Sequence, residues 1–314
     1  MYAMGEKKAT RDVYGAALAE FGNNENLVVL DADLSAATKT GVFKKAWPEK
    51  FFNCGIAEGN MMAVAAGLAT CGKTVFASSF AMFAAGRAFE QIRNSIAYPK
   101  LNVKIGATHA GISVGEDGAT HQCLEDIALM RSIPNMVILN PADPQEARLA
   151  VKAAMDYVGP VYLRFGRLAV PTIFDENYKF EIGKGVEVAE GNDVTIIATG
   201  LMVAHALEAR EILAEEGINA RIVNMATIKP IDRDIIIKAA KETGAIVTAE
   251  EHNIIGGLGS AVAEVLCEEC PVPMLRVGTQ DTFGRSGAPA VLFEMYGLDA
   301  KSIANKAKEA IAKK

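Results

Sequence analysis

The feature that most limits the fold is an alternation of short apolar runs with helix-length amphipathic segments, and it occurs twice. In the first half, "LVVLDADL" (27–34), "KTVFASSF" (73–80), "LNVKIGATH" (101–109), "MVILNPAD" (136–143) and "GPVYLRFGR" (159–167) read as strands. Between them, "EGNMMAVAAGLATC" (58–71), "FAAGRAFEQIRNSIAY" (83–98), "LEDIALMRSI" (124–133) and "DPQEARLAVKAAMDY" (143–157) read as helices. In the last of these, Asp143 is placed to cap, Pro144 takes the first helical position and Glu146 adds a first-turn acid. Such β–α alternation predicts a mostly parallel sheet covered by helices. A stretch at 168–193 carrying proline, glycine and charge then reads as a connection, and a second β–α series runs from "VTIIATG" to "VPMLRVGTQ". The expected architecture is α/β, with two doubly wound domains. They cover residues 1–170 and, after a linker at 171–190, a smaller domain at 191–314.

The chain has 314 residues, 50% hydrophobic and 22% charged, which suits two soluble globular domains. Its net charge of −6 argues against a nucleic acid or an anionic membrane as partner. The N-terminus lacks the long apolar segment of a secretory signal. The longest apolar run, "MMAVAAGLATCG", falls short of the ~20 residues that span a bilayer. The five cysteines are scattered and odd in number, which points to a reducing cytoplasm rather than a disulfide framework. "CEEC" (267–270) has metal-type spacing but no second pair, so it reads as thiols at a helix end before Pro271.

Ligand sites of such sheets lie beyond the carboxyl ends of the strands. Asp31, Asp33, Phe80, His109 and the loop "GISVGEDGATHQCLED" (111–126) all fall there. Glu58 opens an otherwise apolar helix. It is either an acid satisfying the helix dipole or a partly buried carboxylate with a raised pKa that binds a ligand N–H. Phe80 and Phe83 stand three apart, either as core or as a wall for a flat ligand. His109 and His121 bracket "GEDG" with a spacing that matches no common zinc pattern. Imidazole, carboxylate and glycine together suit sugar hydroxyls better. "GGLGS" (256–260) reads as packing before a helix, with anion binding as the alternative. His205 and His252 read as structural.

Together these stretches resemble the transketolase family of thiamine diphosphate enzymes. "THAGISVGEDGATHQCLED" is similar to the family's "THDSIGxGEDGPTHQPIE", and "ATRDVYGAAL", "DADLS", "FFNCGIAEGNMMAVAAGLA", "SSFAMFAAGRAFEQIR" and "NPADPQEA" follow in family order. The resemblance implies a pyrimidine-binding domain followed by a transketolase C-terminal-type domain. It implies that Glu58 hydrogen-bonds N1′ of the aminopyrimidine and that Phe80 and Phe83 lie against that ring, with Ala77 where a further aromatic is common. Asp33 matches a cofactor-site aspartate. His109, His121 and Asp117 match groups that contact the sugar, with His121 also catalytic, and Arg11 and Arg164 match arginines that hold its phosphate. Ala37 stands where the family has a phosphate-contacting serine.

The family's "GDG" and the metal-holding asparagine pair are not found, and no metal ligand is assigned to this chain. The chain therefore resembles the C-terminal half of a split transketolase. A separate N-terminal subunit, with two copies of each chain, would supply the diphosphate and Mg²⁺ sites. The implied reaction moves a two-carbon ketol unit between sugar phosphates, as in pentose phosphate metabolism. The alternatives are a 2-oxoacid dehydrogenase β subunit, which would not be expected to carry "GEDGATHQ", and a deoxyxylulose-phosphate-synthase-like half.

Overall fold

The computed structural model describes residues 2–314. Seven strands form the first sheet, in the order Thr227–Lys229, Val137–Leu139, Val161–Arg164, Val103–Thr108, Thr74–Phe80, Leu27–Asp31 and Phe51–Asn53. All neighbours pair in parallel except Thr227–Lys229, which runs antiparallel to Val137–Leu139. Leu27–Asp31 is buried throughout, as a strand covered on both faces must be, which explains its unbroken apolar run. Side chains alternate between the faces. Val28 and Leu30 join one core with Val75, Ile105 and the helix Glu58–Thr70, while Leu27 and Val29 join another with Phe76, Leu163 and the helix Thr10–Glu20.

The second sheet has the order Met274–Thr279, Ile246–Asn253, Val194–Ala198, Ala220–Asn224 and Val186–Ala189, with only the last strand antiparallel. Two features differ from the sequence expectation. The stretch 171–190 is not a free tether, because Val186–Ala189 belongs to the second sheet and Phe174 is buried. The two domains also interlock, since Thr227–Lys229 leaves the second domain to close an edge of the first sheet. A third difference lies in "FAAGRAFEQIRNSIAY". It forms two wide π-helical stretches, Met82–Arg87 and Ile92–Ala97, around a short α segment, rather than one regular helix.

The helix Pro144–Asp156 begins as expected: the Asp143 carboxylate accepts from the Glu146 amide at 2.7 Å and from the Ile173 and Phe174 amides at 2.7 and 2.8 Å. The same turn ties the domains together. Buried Glu146 accepts from the Ala142 amide (2.7 Å), the Tyr178 hydroxyl (2.6 Å) and Asn224 Nδ2 (2.8 Å), the last from the second sheet. Burial outweighs these donors and pushes its carboxyl up to about 7. The folded state then holds a proton that the unfolded chain releases near the ordinary glutamate range. The group's contribution to stability is therefore complete below that range and is lost as pH rises through about 7. Wild type should lose on the order of 1–3 kcal/mol relative to Glu146→Gln between pH 5 and pH 8. Urea titrations at the two pH values read this directly, and a pH-independent difference would refute it.

Candidate functional site

Five adjacent parallel strands bring several of the predicted residues to the carboxyl-end side of the first sheet. Phe80 ends Thr74–Phe80, and His109 follows Val103–Thr108. Asp33 follows Leu27–Asp31, and Glu58 starts the helix that follows Phe51–Asn53. Beyond Val161–Arg164 comes Arg167. The turn after Leu27–Asp31 is built by Asp31, whose buried carboxylate accepts from the Leu34 amide (2.6 Å) and the hydroxyls of Thr38 (2.7 Å) and Thr40 (2.8 Å). Asp33 sits in that turn with φ 66° and accepts from Asn53 Nδ2 at 2.7 Å.

His109 lies at the centre. Its ring stacks on Phe80 with centroids 3.8 Å apart. Arg11 Nη1 is 2.8 Å from His109 Nε2, and a guanidinium can only donate, so Nε2 is the acceptor. The proton is then on Nδ1, which donates to Thr108 Oγ1 at 2.9 Å. Burial, helped by the Arg11 and Arg167 charges, pushes the imidazole down to about 3, so it is neutral at working pH. Arg11 also donates to the Ala37 carbonyl at 3.2 Å, the position where the resemblance expects a serine.

A continuous wall runs from His109 to Glu58. Phe80 and Phe83 stack at 5.8 Å, and His121 meets both edge-on, at 6.2 and 5.3 Å. The Arg87 guanidinium covers Phe83 at 4.2 Å and pairs with Glu58 Oε1 at 3.1 Å. Glu58 is 4% exposed, and its second oxygen has no partner among the described residues. The wall borders a cleft of about 760 Å³ between the domains, lined by Phe83, Arg87, Thr120, Glu125, Asp281 and Phe283.

Asp117 is exposed on the glycine-rich loop, with Oδ2 3.7 Å from Arg167 Nη1. Glu116 lies 3.6 Å from the same nitrogen, and Arg167 also donates to the Val114 carbonyl. Arg164 is the correction. It is 3% exposed and donates to Asp126 through Nε (2.8 Å) and Nη2 (3.2 Å), and through Nη2 to the Glu251 carbonyl (2.9 Å). Burial alone would raise the Asp126 carboxyl, but the Arg164 charge wins and holds it below the ordinary range. With Nε and Nη2 committed to buried partners, Arg164 is held inside the protein, almost wholly out of solvent. Arg167, three residues on, faces the open side of the site. Arg87 and Asn53 were also absent from the sequence expectation. Arg87 lies seven residues past Phe80 on a stretch whose π turns no regular period reports. The strand-end rule gives a signal for Arg167 and Asn53, since both sit at or just past a parallel strand's carboxyl end.

The remaining candidates lie outside the wall just described. The "GGLGS" helix start is filled from within: Glu250 accepts from the Leu258 amide (2.7 Å) and the Gly259 amide (2.8 Å). His205 bonds the Leu298 carbonyl and His252 the Asn253 carbonyl. Cys267 is exposed at a helix end, and no cluster of three potential metal ligands occurs among the described residues.

Comparison with known proteins identifies the two domains. Residues 6–172 match the transketolase pyrimidine-binding domain and residues 183–303 the transketolase C-terminal domain. A relative in Methanocaldococcus jannaschii, whose name assigns it provisionally to a transketolase C-terminal section, is 56% identical over 98% of both chains. The 6-deoxy-6-sulfo-D-fructose transketolase subunit of Clostridium sp. (strain MSTE9) is 44% identical, over 98% of this chain and 96% of that one. A solved split-gene transketolase, described as an inactive β4 tetramer, superposes with a TM-score of 0.92 at 57% identity, covering 98% of this chain and 99% of that one. The chain thus belongs to the transketolase family, as the part that joins the pyrimidine-binding domain to the C-terminal domain.

Proposed function

We propose that this chain is one subunit of a cytoplasmic, two-subunit transketolase that moves a two-carbon ketol unit from a ketose phosphate to an aldose phosphate. In this reading it binds the aminopyrimidine half of thiamine diphosphate and reads the sugar. A separate N-terminal subunit, two copies beside two of this chain, holds the diphosphate and Mg²⁺. The observation that carries the reading is the wall from Glu58 through Phe83 and Phe80 to His109. It joins a carboxylate with a free oxygen to a flat apolar shelf and then to a polar loop.

These residues fit an aminopyrimidine. The Phe80–Phe83 pair offers a stacking surface, and the free Glu58 oxygen suits a ring-nitrogen proton at the ring's edge. When bound, thiamine diphosphate supplies the nucleophilic carbon and the electron sink for breaking and forming the sugar's carbon–carbon bond. The chain's own residues do the rest. Glu58 holds or accepts a proton at the pyrimidine, and the aromatic shelf excludes water. His109, held neutral, bonds a sugar oxygen, and His121 bonds another and is open enough to move a proton. Asp117 accepts from a sugar hydroxyl. Arg11 and Arg167 flank His109, and their paired charges suit the anionic end of the substrate. The relative named for a sulfosugar fits the same logic, because a sulfonate is also a terminal anion.

The test is reconstitution. The chain alone, given thiamine diphosphate and Mg²⁺, should not turn over xylulose 5-phosphate with ribose 5-phosphate. Co-expression with an N-terminal transketolase subunit should restore turnover. Sustained turnover by the single chain would sink the two-subunit reading.

A further inference from the structure

The loop 111–122 belongs in sequence to the pyrimidine-binding domain, yet the C-terminal domain holds much of it. Three consecutive residues at the end of the strand Ile246–Asn253 carry the attachment. Glu251 Oε1 accepts from the Ser113 amide at 2.5 Å. His252 Nε2 accepts from the Ala128 amide at 3.3 Å, and the Asn253 amide donates to the Leu124 carbonyl at 2.7 Å. The strand end thus grips the loop's start, its end and the helix after it. Arg164 fixes the strand end in turn, through its bond to the Glu251 carbonyl and its pair with Asp126.

The fit is close. Gly111 has φ +85°, and a Cβ there would lie 2.3 Å from the Glu251 carboxyl carbon, so the chain passes directly over the carboxylate. A Cβ on Gly118 would lie 2.5 Å from Ser286 Oγ. Gln122 Nε2 spans loop and C-terminal domain, donating to the carbonyls of Ile112 (3.2 Å), Gly115 (3.1 Å) and Arg285 (2.9 Å).

We propose that Glu251 is a positioning residue for the sugar-reading loop, so that the C-terminal domain sets where Asp117 and His121 stand. This rests on the proposed role of that loop in binding sugar. The Ser113 amide starts the tight turn Ile112–Asp117 and is fully buried. Without its acceptor it is left unsatisfied, at a cost that a glycine-rich loop can relieve by moving. Asp117 and His121 would move with it. Simple adhesion between domains would instead predict that losing Glu251 weakens everything in the site together.

The two-subunit complex with thiamine diphosphate and Mg²⁺ provides the test, using Glu251→Ala, Glu251→Leu and Glu251→Gln. Glutamine keeps an acceptor oxygen, and leucine keeps the volume without one. Alanine and leucine should each raise the sugar-phosphate KM about tenfold or more, leaving the cofactor's activation constant unchanged. Both should speed amide hydrogen exchange across 111–123, and glutamine should restore both properties. Equal losses in sugar and cofactor affinity, or a glutamine variant as poor as alanine, would overturn the proposal. Should alanine fail to fold, leucine carries the same comparison. If the wild-type complex turns over no sugar phosphate, the proposed function fails, but the exchange measurement still decides about Glu251. Loss of protection with leucine and its return with glutamine supports the brace, and unchanged protection in both overturns it.

Discussion

Glu58→Ala is expected to cut ketol transfer by the assembled complex about 10²–10⁴-fold, the range of a lost proton-transfer group. The structure says why folding should be spared. Glu58 starts its helix and pairs only with Arg87, whose side chain is 54% exposed and can hydrate when the carboxylate is gone. The lost ion pair and helix-terminal charge are each worth about 1 kcal/mol or less. The measurement is turnover at saturating cofactor, with a melting curve of the same sample. Full activity would remove Glu58 from the cofactor site. Equal collapse of activity and melting would return it to the bland role of a helix-start acid.

Arg164→Met is expected to act in the opposite way, destabilising the chain by about 3–5 kcal/mol because Asp126 is left buried and unpaired. The Tyr162 hydroxyl, 2.8 Å from Asp126, cannot replace a charge. Arg167→Met should leave stability nearly unchanged, since that side chain is 34% exposed, and should raise the sugar-phosphate KM instead. Urea denaturation and steady-state kinetics on both variants separate the two arginines. A stable Arg164→Met chain with a raised sugar KM would restore the assignment drawn from the family resemblance.

That pair of arginines shows why part of the site escapes a sequence. Both lie in "LRFGR" at the end of one strand. Period-two alternation puts Arg164 on the same face as Tyr162, but it cannot say that Asp126 waits there, 38 residues away in sequence. Glu58 is similar. Its place at the start of an apolar helix is legible, whereas Arg87, 29 residues on, reaches it only through the π-helical turns after Phe80. Phe80, His109 and Asp33 were easier, because each ends or follows a parallel strand, where such sheets bind ligands.

The interlocked domains follow the same division. "NARIVNMATIKPID" lies within the second β–α series, but Ala220–Asn224 pairs in the second sheet and Thr227–Lys229 in the first. By itself, the sequence determined the β–α alternation, the capped helix at Asp143, the family and the strand ends at which the site gathers. These follow from periodicity, local hydrogen bonding and short motifs, all of which act between near neighbours in the chain. Only the tertiary structure decided which arginine is free, which carboxylate is paired, and that Glu251 reaches across to the Ser113 amide. Those outcomes depend on buried partners distant in sequence, and the cost of leaving a charge or an amide unpaired inside the protein selects among them.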